Sequence, residues 1–148
     1  MEHERNALAI LEAIKRLTDP QLVEIFARLR GINERYPSDD DIRERYPTSR
    51  DAADYAVVGQ WLETIAALAR RGVIDPSLLA DALGFSLRRY WDTIRAFIAR
   101  RRSVESNAYL AENFEWLAMY SAWWKDIPRS PRDANYRDDQ FAGVEFNA

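Results

Sequence analysis

Apolar residues recur at helical spacing from the first turn of the chain. Between Asn6 and Leu17 they fall three and four positions apart, the spacing that lines one face of an α-helix. Asp19 and Pro20 then predict the start of a second helix, because the aspartate can accept free amides of the first turn and the proline needs no acceptor there. The residues expected to be buried on these two helices are Ala7, Ile10, Leu11, Ile14, Leu17, Leu22, Ile25, Phe26 and Leu29.

The periodicity lapses between Asn33 and Arg50, where the tetrapeptide Glu-Arg-Tyr-Pro occurs twice. Because proline disfavours helical backbone for the residue before it, both tyrosines are predicted in extended or turn conformations. The acidic run from Asp39 to Asp41 lacks the alternating ligands and central glycine of an EF-hand loop. It predicts a solvated turn, or the cap of a short helix around Ile42, within a connecting segment.

A long and regular pattern follows from Asp51 to Arg71, with apolar residues on two sides of one predicted helix. Its alanines and its glycine would let another helix approach closely, so this helix is expected to be central to the fold. The helix is predicted to end at Gly72, which can adopt the left-handed cap conformation, and Asp75 is predicted to start the next. Gly84 either ends that next helix or bends it.

Large aromatic rings are concentrated in the two helical segments that follow. Their spacing predicts a helical core built on aromatic packing, with Ser106 as a candidate cap of the last helix. Neighbouring residues on a helix point about 100° apart, so one of the adjacent Trp123 and Trp124 is a candidate for the surface. The aromatic set is Phe85, Tyr90, Trp91, Phe97, Tyr109, Phe114, Trp116, Tyr120, Trp123 and Trp124.

Together these patterns predict an all-α fold: a single-domain bundle of about five or six helices over residues 1–124. Residues 125–148 are polar and interrupted by prolines, so an irregular tail is expected there. The tail still carries two large apolar side chains, Phe141 and Phe146, near its end.

Composition excludes several kinds of site. The 148 residues contain no cysteine, which rules out disulfides, thiolate metal sites and a cysteine nucleophile. The formal net charge is −3, and no signal peptide or apolar run long enough to span a bilayer is present. We therefore expect a cytoplasmic protein that does not insert into membranes.

The residues that usually carry catalysis in helical bundles are also missing. His3 is the only histidine, so neither a Glu-x-x-His di-iron site nor a histidine-activated serine nucleophile can be built. The glycines are scattered and form no phosphate-binding loop. A non-enzymatic role is favoured, with no cofactor, metal or catalytic residue predicted.

Three short motifs carry a resemblance to a known family. They are Arg-Gly-Val-Ile-Asp at residues 71–75, Arg-Tyr-Trp-Asp at 89–92 and Asn-Phe-Glu-Trp-Leu-Ala at 113–118. The chain resembles, over residues 55–124, a family of small bacterial all-helical domains of unknown function. The resemblance implies a helical fold and a bacterial origin, and it carries over no catalytic residue.

The leading hypothesis is a protein-interaction domain that associates with itself or serves as an accessory subunit. Aromatic side chains at a surface commonly anchor a partner protein, and the last helix and the tail supply the candidates. The predicted interface residues are Trp116, Tyr120, Trp123, Trp124, Phe141 and Phe146.

Two alternative functions remain open. The first is an enzyme or small-ligand binder with a pocket between the central helix and the aromatic pair of helices. Its polar groups would be Glu63, Arg89 and Glu115.

The second alternative is weak nucleic-acid binding through an arginine stripe. Arg88, Arg95 and Arg102 recur every seven residues and would form one line along a helix. The negative net charge disfavours this role, and the cations that close the helix are also explained by its dipole.

Overall fold

The computed structural model describes residues 2–125, with side chains through residue 122. Regular structure in this described range is entirely helical, which confirms the predicted all-α, single-domain class. The predicted irregular tail that follows, with Phe141 and Phe146, lies outside the described residues. The elements are α1 (Glu2–Leu17), α2 (Pro20–Leu29), α3 (Ile32–Arg35), α4 (Asp39–Glu44), a 3₁₀ turn (Tyr46–Thr48), α5 (Arg50–Arg70), α6 (Pro76–Val104) and α7 (Glu112–Lys125).

Side-chain caps start the helices where the sequence predicts them. Asp19 accepts a hydrogen bond from the Gln21 amide at 2.8 Å, with proline as the first residue of α2. Asp75 accepts from the Ser77 amide at 2.9 Å, again with proline next, and so starts α6. Each cap satisfies a backbone donor that has no partner within the helix.

Gly72 ends α5 in the left-handed conformation, with φ 76°. Its amide donates to the carbonyl of Ala69 at 3.0 Å, and the Val73 amide donates to the carbonyl of Leu68 at 2.9 Å. These two bonds define a Schellman motif, in which a left-handed residue lets the chain leave the helix with its last carbonyls satisfied. The predicted glycine cap is confirmed.

Helix α6 continues through Gly84, whereas the sequence predicts an end or a bend there. A Cβ atom on this glycine would lie 3.4 Å from the Cβ of Ser121, so the small residue lets α7 come close. Further along, the rings of Trp91 and Phe114 meet edge to face at 5.5 Å. The two helices are therefore antiparallel neighbours, joined by a close contact at one point and an aromatic contact at another.

The core lies between α5, α6 and α7, with the shorter helices packed around them. Helix α5 contacts α7 and α2, which fits the predicted central position, and α1, α3 and α4 contact α6. The largest fully buried side chains include Leu29, Ile32, Ile42, Leu62, Phe97, Ile98, Phe114 and Leu117.

The segment interpreted as a connection is a structured part of the core. It contains α3, α4 and the 3₁₀ turn, and the short helix predicted around Ile42 is confirmed as α4. Tyr36 and Tyr46, the tyrosines of the repeated tetrapeptide, are 4% and 3% exposed. Their rings meet at 5.5 Å, and both contact Phe97 of α6, at 5.6 and 5.0 Å. Short elements with little periodicity hid this burial from the sequence pattern.

Several residues expected in the core are exposed instead, among them Ala7 of α1. Phe85 is 69% exposed, and Tyr109 is 76% exposed in the turn before α7. Leu11 is 61% exposed because the buried face of α1 centres on Asn6, Ala13 and Leu17. Leu11 lies two residues before Ala13, about 200° around the helix, so the predicted stripe was too wide.

Ser106 ends α6 and does not start the last helix. It adopts a left-handed conformation with φ 51°. Its amide donates to the carbonyl of Ser103 at 3.3 Å, and the Asn107 amide donates to the carbonyl of Arg102 at 3.0 Å. This is the same Schellman arrangement that ends α5, built here on a residue with a side chain.

Candidate functional site

A groove of about 320 Å³ runs along the outer surface between α6 and α7. Two large apolar side chains stand exposed in it: Phe85 at 69% from α6 and Met119 at 52% from α7. Trp91 and Ala118, both buried, form its floor. We call it the α6–α7 groove, and its lining residues are Phe85, Arg88, Arg89, Trp91, Asp92, Ala118, Met119 and Ala122.

Helical geometry explains why these apolar side chains face outward. Phe85 lies two residues before the buried Leu87, which turns it about 200° away from the core. Met119 similarly lies two residues after the buried Leu117. The close contact of Gly84 with Ser121 brings the two helix surfaces together beneath them. The groove is therefore fixed by rigid, well-packed helices.

Two of the predicted interface residues form a stack on α7. The rings of Trp116 and Tyr120 lie 5.3 Å apart with an interplanar angle of 27°. Both are half-buried, and the guanidinium of Arg70 lies 6.0 Å from the Trp116 ring centre. Burial raises the pKa of the Tyr120 phenol, with a further contribution from the charge of Asp75. The stack is a partly covered flank of α7 beside its exposed Met119.

The other predicted interface residues lie beyond the described side chains. The helical backbone of α7 includes Trp123 and Trp124, but the described side chains stop before them. Phe141 and Phe146 lie outside the described residues altogether. Their role at an interface stays a prediction.

The family model described as Domain of unknown function (DUF4760) matches residues 2–123. The chain belongs to this family. Its match extends the resemblance, drawn from residues 55–124 of the sequence, to the amino-terminal helices. Searches of curated proteins and of solved structures found no match.

The DUF4760 domain offers no metal site in the part that the structure describes. No group of three or more histidine, cysteine, aspartate or glutamate residues there is placed to hold a metal ion. The acidic run instead starts α4, where Asp41 and Ser38 cap each other. Hydrogen bonds from Arg45 and Ser38 lower the pKa of Asp41 to about 2.

Within the described residues, no helix combines the length and apolarity needed to cross a membrane.

Glu63, a residue of the alternative pocket, caps the last helix. Its Oε1 accepts from the Asn113 amide at 3.0 Å and from the Asn113 side chain at 2.9 Å. Its Oε2 accepts from the Phe114 amide at 2.9 Å. A carboxylate from α5 thus satisfies the free donors at the start of α7 and complements its dipole. This role is structural and uses both carboxylate oxygens.

The other two residues of that alternative have different neighbours. Glu115 pairs with Arg102, with Glu115 Oε2 and Arg102 Nη2 2.5 Å apart. Arg89 lies thirteen residues before Arg102 on α6, which places it about 20 Å away along the helix axis. The structure therefore does not gather Glu63, Arg89 and Glu115 around one cavity. Arg89 instead lines grooves on the outer side of α6.

The predicted arginine stripe is partly used inside the domain. Arg102 Nε donates to the carbonyl of Leu110 at 2.9 Å; its Nη2 makes no regular hydrogen bond but lies against Glu115. Arg95 is largely exposed and lies 3.7 Å from Asp92. Arg88 is half-buried, and its Nε is buried without a hydrogen-bond partner among the described residues. Nucleic-acid binding stays a prediction, and of the three cations Arg95 alone is largely exposed.

Sequence reasoning missed Phe85 and Met119 as candidate interface residues. A helical wheel centred on Leu87 would have turned Phe85 outward, and one centred on Leu117 would have done the same for Met119, since residues two positions apart point about 200° away from each other. The helical spacing therefore contained this information, but the many aromatic residues on these two helices favoured the prediction that Phe85 is buried in the core. The pairing of α6 with α7, which makes a groove of these residues, is a long-range contact with no local signature.

Proposed function

We propose that this DUF4760 domain is a non-enzymatic protein-interaction module that self-associates through the α6–α7 groove. The observation that carries the proposal is the pair of exposed apolar side chains, Phe85 from α6 and Met119 from α7, that line one groove. Single exposed apolar residues are common, but adjacent ones that line a groove are typical of interaction surfaces.

The composition of the groove supports an interface. Aromatic residues, methionine and arginine are the types enriched where proteins meet, and Phe85, Met119, Arg88 and Arg89 supply all three. Methionine also adapts its shape to an opposing surface. The half-buried Trp116–Tyr120 stack extends aromatic surface along the flank of α7.

Charge at the groove favours a second copy as the partner. Arg88 and Arg89 lie in the same lining as Asp92, so the surface carries both signs. An interface with two-fold symmetry brings the same patch of each copy together and therefore needs such self-complementarity.

The experiment is a measurement of solution mass against concentration by sedimentation equilibrium. The wild type should form dimers, and the double substitution of Phe85 and Met119 by serine should weaken the dimer by at least about a hundredfold, since each buried apolar side chain contributes 1.5–3 kcal/mol. Both side chains are exposed in one copy, so folding should persist, which circular dichroism checks.

Val57 provides a matched control, since it is 48% exposed on α5, outside the lining of the groove. Its replacement by serine should leave the dimer constant unchanged. A wild-type domain that stays monomeric at about 1 mM, where an association of only 4 kcal/mol would be visible, overturns self-association. An unchanged dimer in the double variant would move the interface elsewhere.

A further inference from the structure

A second concave surface, between α2 and α6, combines two arginines with an aromatic floor. This α2–α6 cleft has a volume of about 230 Å³. Its lining residues include Val23 and Phe26 of α2, Arg30 directly after α2, and Arg89, Tyr90 and Thr93 of α6. No carboxylate belongs to the lining, unlike the α6–α7 groove with its Asp92.

The floor of the cleft is rigid and apolar. The rings of Phe26 and Tyr90 stack with centroids 3.6 Å apart and an interplanar angle of 10°. Phe26 is buried, Tyr90 is half-buried, and Val23 is 48% exposed at the edge. A ligand in the cleft would therefore meet the accessible part of Tyr90 and the branched aliphatic side chain of Val23.

Both arginines of the cleft are exposed, and neither forms an ion pair within the described residues. The remaining arginines of α6 that follow them behave differently. Each contacts a carboxylate: Arg95 with Asp92, Arg100 with Asp39, Arg101 with Glu105 and Arg102 with Glu115. Both cations line one cleft whose described lining contains no carboxylate, and this leaves a local positive charge there.

The two guanidinium groups also share a neighbour. Burial raises the pKa of the Tyr90 phenol, while the charges of Arg89 and Arg30 each oppose this rise. Both cations thus act on the same hydroxyl, although Arg89 belongs to α6 and Arg30 follows α2. The positive charge of the cleft therefore comes from two separate segments of the chain and acts near the Tyr90 hydroxyl.

We propose that the α2–α6 cleft is a binding site for a small organic phosphate. Arg30 and Arg89 would hold the phosphate oxygens, for which the planar, multiply donating guanidinium is well suited. The phosphate carries close to two negative charges at neutral pH and so matches both cations, whereas a carboxylate matches one. The apolar part of the ligand would lie against the accessible part of Tyr90 and against Val23.

The size of the cleft limits the ligand. Sites for drug-sized molecules usually enclose about 300–1,000 Å³, and this cleft falls below that range. It accommodates a phosphate with a single ring or a short chain, and not a whole nucleotide. The site is separate from the pocket predicted around Glu63 and Glu115, with which it shares only Arg89.

Isothermal titration calorimetry on the full chain tests the site with three probes: phenyl phosphate, inorganic phosphate and benzoate. Phenyl phosphate should bind tightest, because it alone offers both the dianion and a ring. Arg30→Gln should weaken it by at least about tenfold, since a hydrogen bond to a charged group is lost. Arg30→Lys should retain part of the affinity because it keeps the charge but not the paired donors.

Two further variants separate the site from unspecific charge effects. Val23→Ser should weaken phenyl phosphate but leave inorganic phosphate unchanged, since only the former uses the apolar edge. Arg95→Gln, which removes an exposed cation of α6 outside the cleft, should change neither. Equal losses in Arg95→Gln and Arg30→Gln, or benzoate binding as tightly as phenyl phosphate, would overturn the proposal.

The site and the dimer can fail independently. Arg30 does not line the α6–α7 groove, so Arg30→Gln should leave the dimer constant unchanged. Arg89 lines both surfaces, so the comparison is made at protein concentrations where the wild type is monomeric, and there the serine variants of Phe85 and Met119 should likewise leave phosphate binding intact. Absence of heat with all three probes, for a wild type that unfolds cooperatively, would overturn the phosphate site whatever the oligomeric state.

Discussion

The two ends of α6 contain the same residue types in opposite roles. Toward its amino end, Phe85 is exposed, and Arg88 and Arg89 face grooves without an ion-pair partner among the described residues. Toward its carboxyl end, Phe97 is 1% exposed, and Arg101 is only 12% exposed in its side chain. Residue type alone therefore does not show whether a side chain of α6 is buried or exposed. The elements that pack on each end of the helix decide this.

The carboxyl end is covered by the short elements that precede α5. Arg101 lies over the rings of Tyr46 and Tyr55, at 4.7 and 5.2 Å, while its guanidinium also pairs with Glu105. Arg100 donates to the carbonyl of Tyr36 at 2.6 Å. These cations bind the structured segment to α6, and among the described residues no comparable segment lies over Phe85, Arg88 or Arg89. There the arginines remain available for ligands or partners.

The largest expected contrast comes from truncating the two phenylalanines. Phe97→Ala should lower the free energy of unfolding by about 3–5 kcal/mol, because it leaves a cavity beside Tyr36 and Tyr46. Phe85→Ala should change it by less than about 0.5 kcal/mol, since the ring is mostly in solvent. Urea unfolding at low protein concentration, where dimers do not contribute, measures both.

Phe97→Leu guards against a variant that does not fold at all, since leucine leaves a smaller cavity than alanine and should therefore destabilise the domain less. Equal destabilisation by the two alanine variants would show that the amino end is covered as well. The contrast between the ends of α6, and with it the free surface at Phe85, would then be lost.

The sequence predicted where several helices begin and end, but not which part of α6 is covered by other elements. The caps at Asp19, Gly72 and Asp75 were found because each depends on two or three adjacent residues. The burial of Tyr36 and Tyr46 was missed because short elements show no periodicity and because their partner, Phe97, lies fifty or more positions away. Helix caps can be predicted from a few adjacent residues. Which element covers a given helix face cannot, because that depends on contacts between distant parts of the chain.

The candidate sites show the same division. The outward position of Phe85 follows from helical register and could have been read from the sequence. Arg30 and Arg89 line the same cleft because of how α2 packs on α6, and no sequence pattern around Arg30 predicts this. Glu63 was singled out as a pocket residue and instead caps α7 through contacts fifty residues away in sequence.

Unfolding at alkaline pH tests whether the tyrosines at the carboxyl end of α6 are shielded from solvent. Burial raises the pKa of Tyr55 to about 12, although the charge of Arg101 partly opposes this. The folded state then holds a proton that the unfolded state releases near pH 10. The stabilisation is complete below pH 10 and is lost as the pH rises through 12, with a decrease of about 1 kcal/mol at pH 11 from this residue.

Urea unfolding at pH 8 and pH 11 measures the loss, and Tyr55→Phe should remove part of it because phenylalanine does not titrate. The pKa of Tyr46 is also raised by burial, so the double variant should flatten the profile further. A wild type equally stable at both pH values would mean that these phenols reach solvent, and the carboxyl end would resemble the amino end.

The smallest effect concerns the two left-handed residues that flank α6. Gly72 precedes it with φ 76°, and Ser106 follows it with φ 51°, each at the same position of a Schellman motif. A left-handed conformation costs a residue with a side chain roughly 1–2 kcal/mol, and part of the gain on replacing it with glycine is lost to the entropy of the unfolded chain. Ser106→Gly should therefore stabilise the domain by about 0.5 kcal/mol.

Gly72→Ala should destabilise the domain by about 1 kcal/mol purely through the backbone, since a Cβ there meets no atom within 4 Å. Opposite signs in urea unfolding would show that both ends of α6 are set by the same backbone rule and differ only in what covers them. A loss of stability in Ser106→Gly would mean that the exposed serine side chain, and not its backbone, holds the turn into α7.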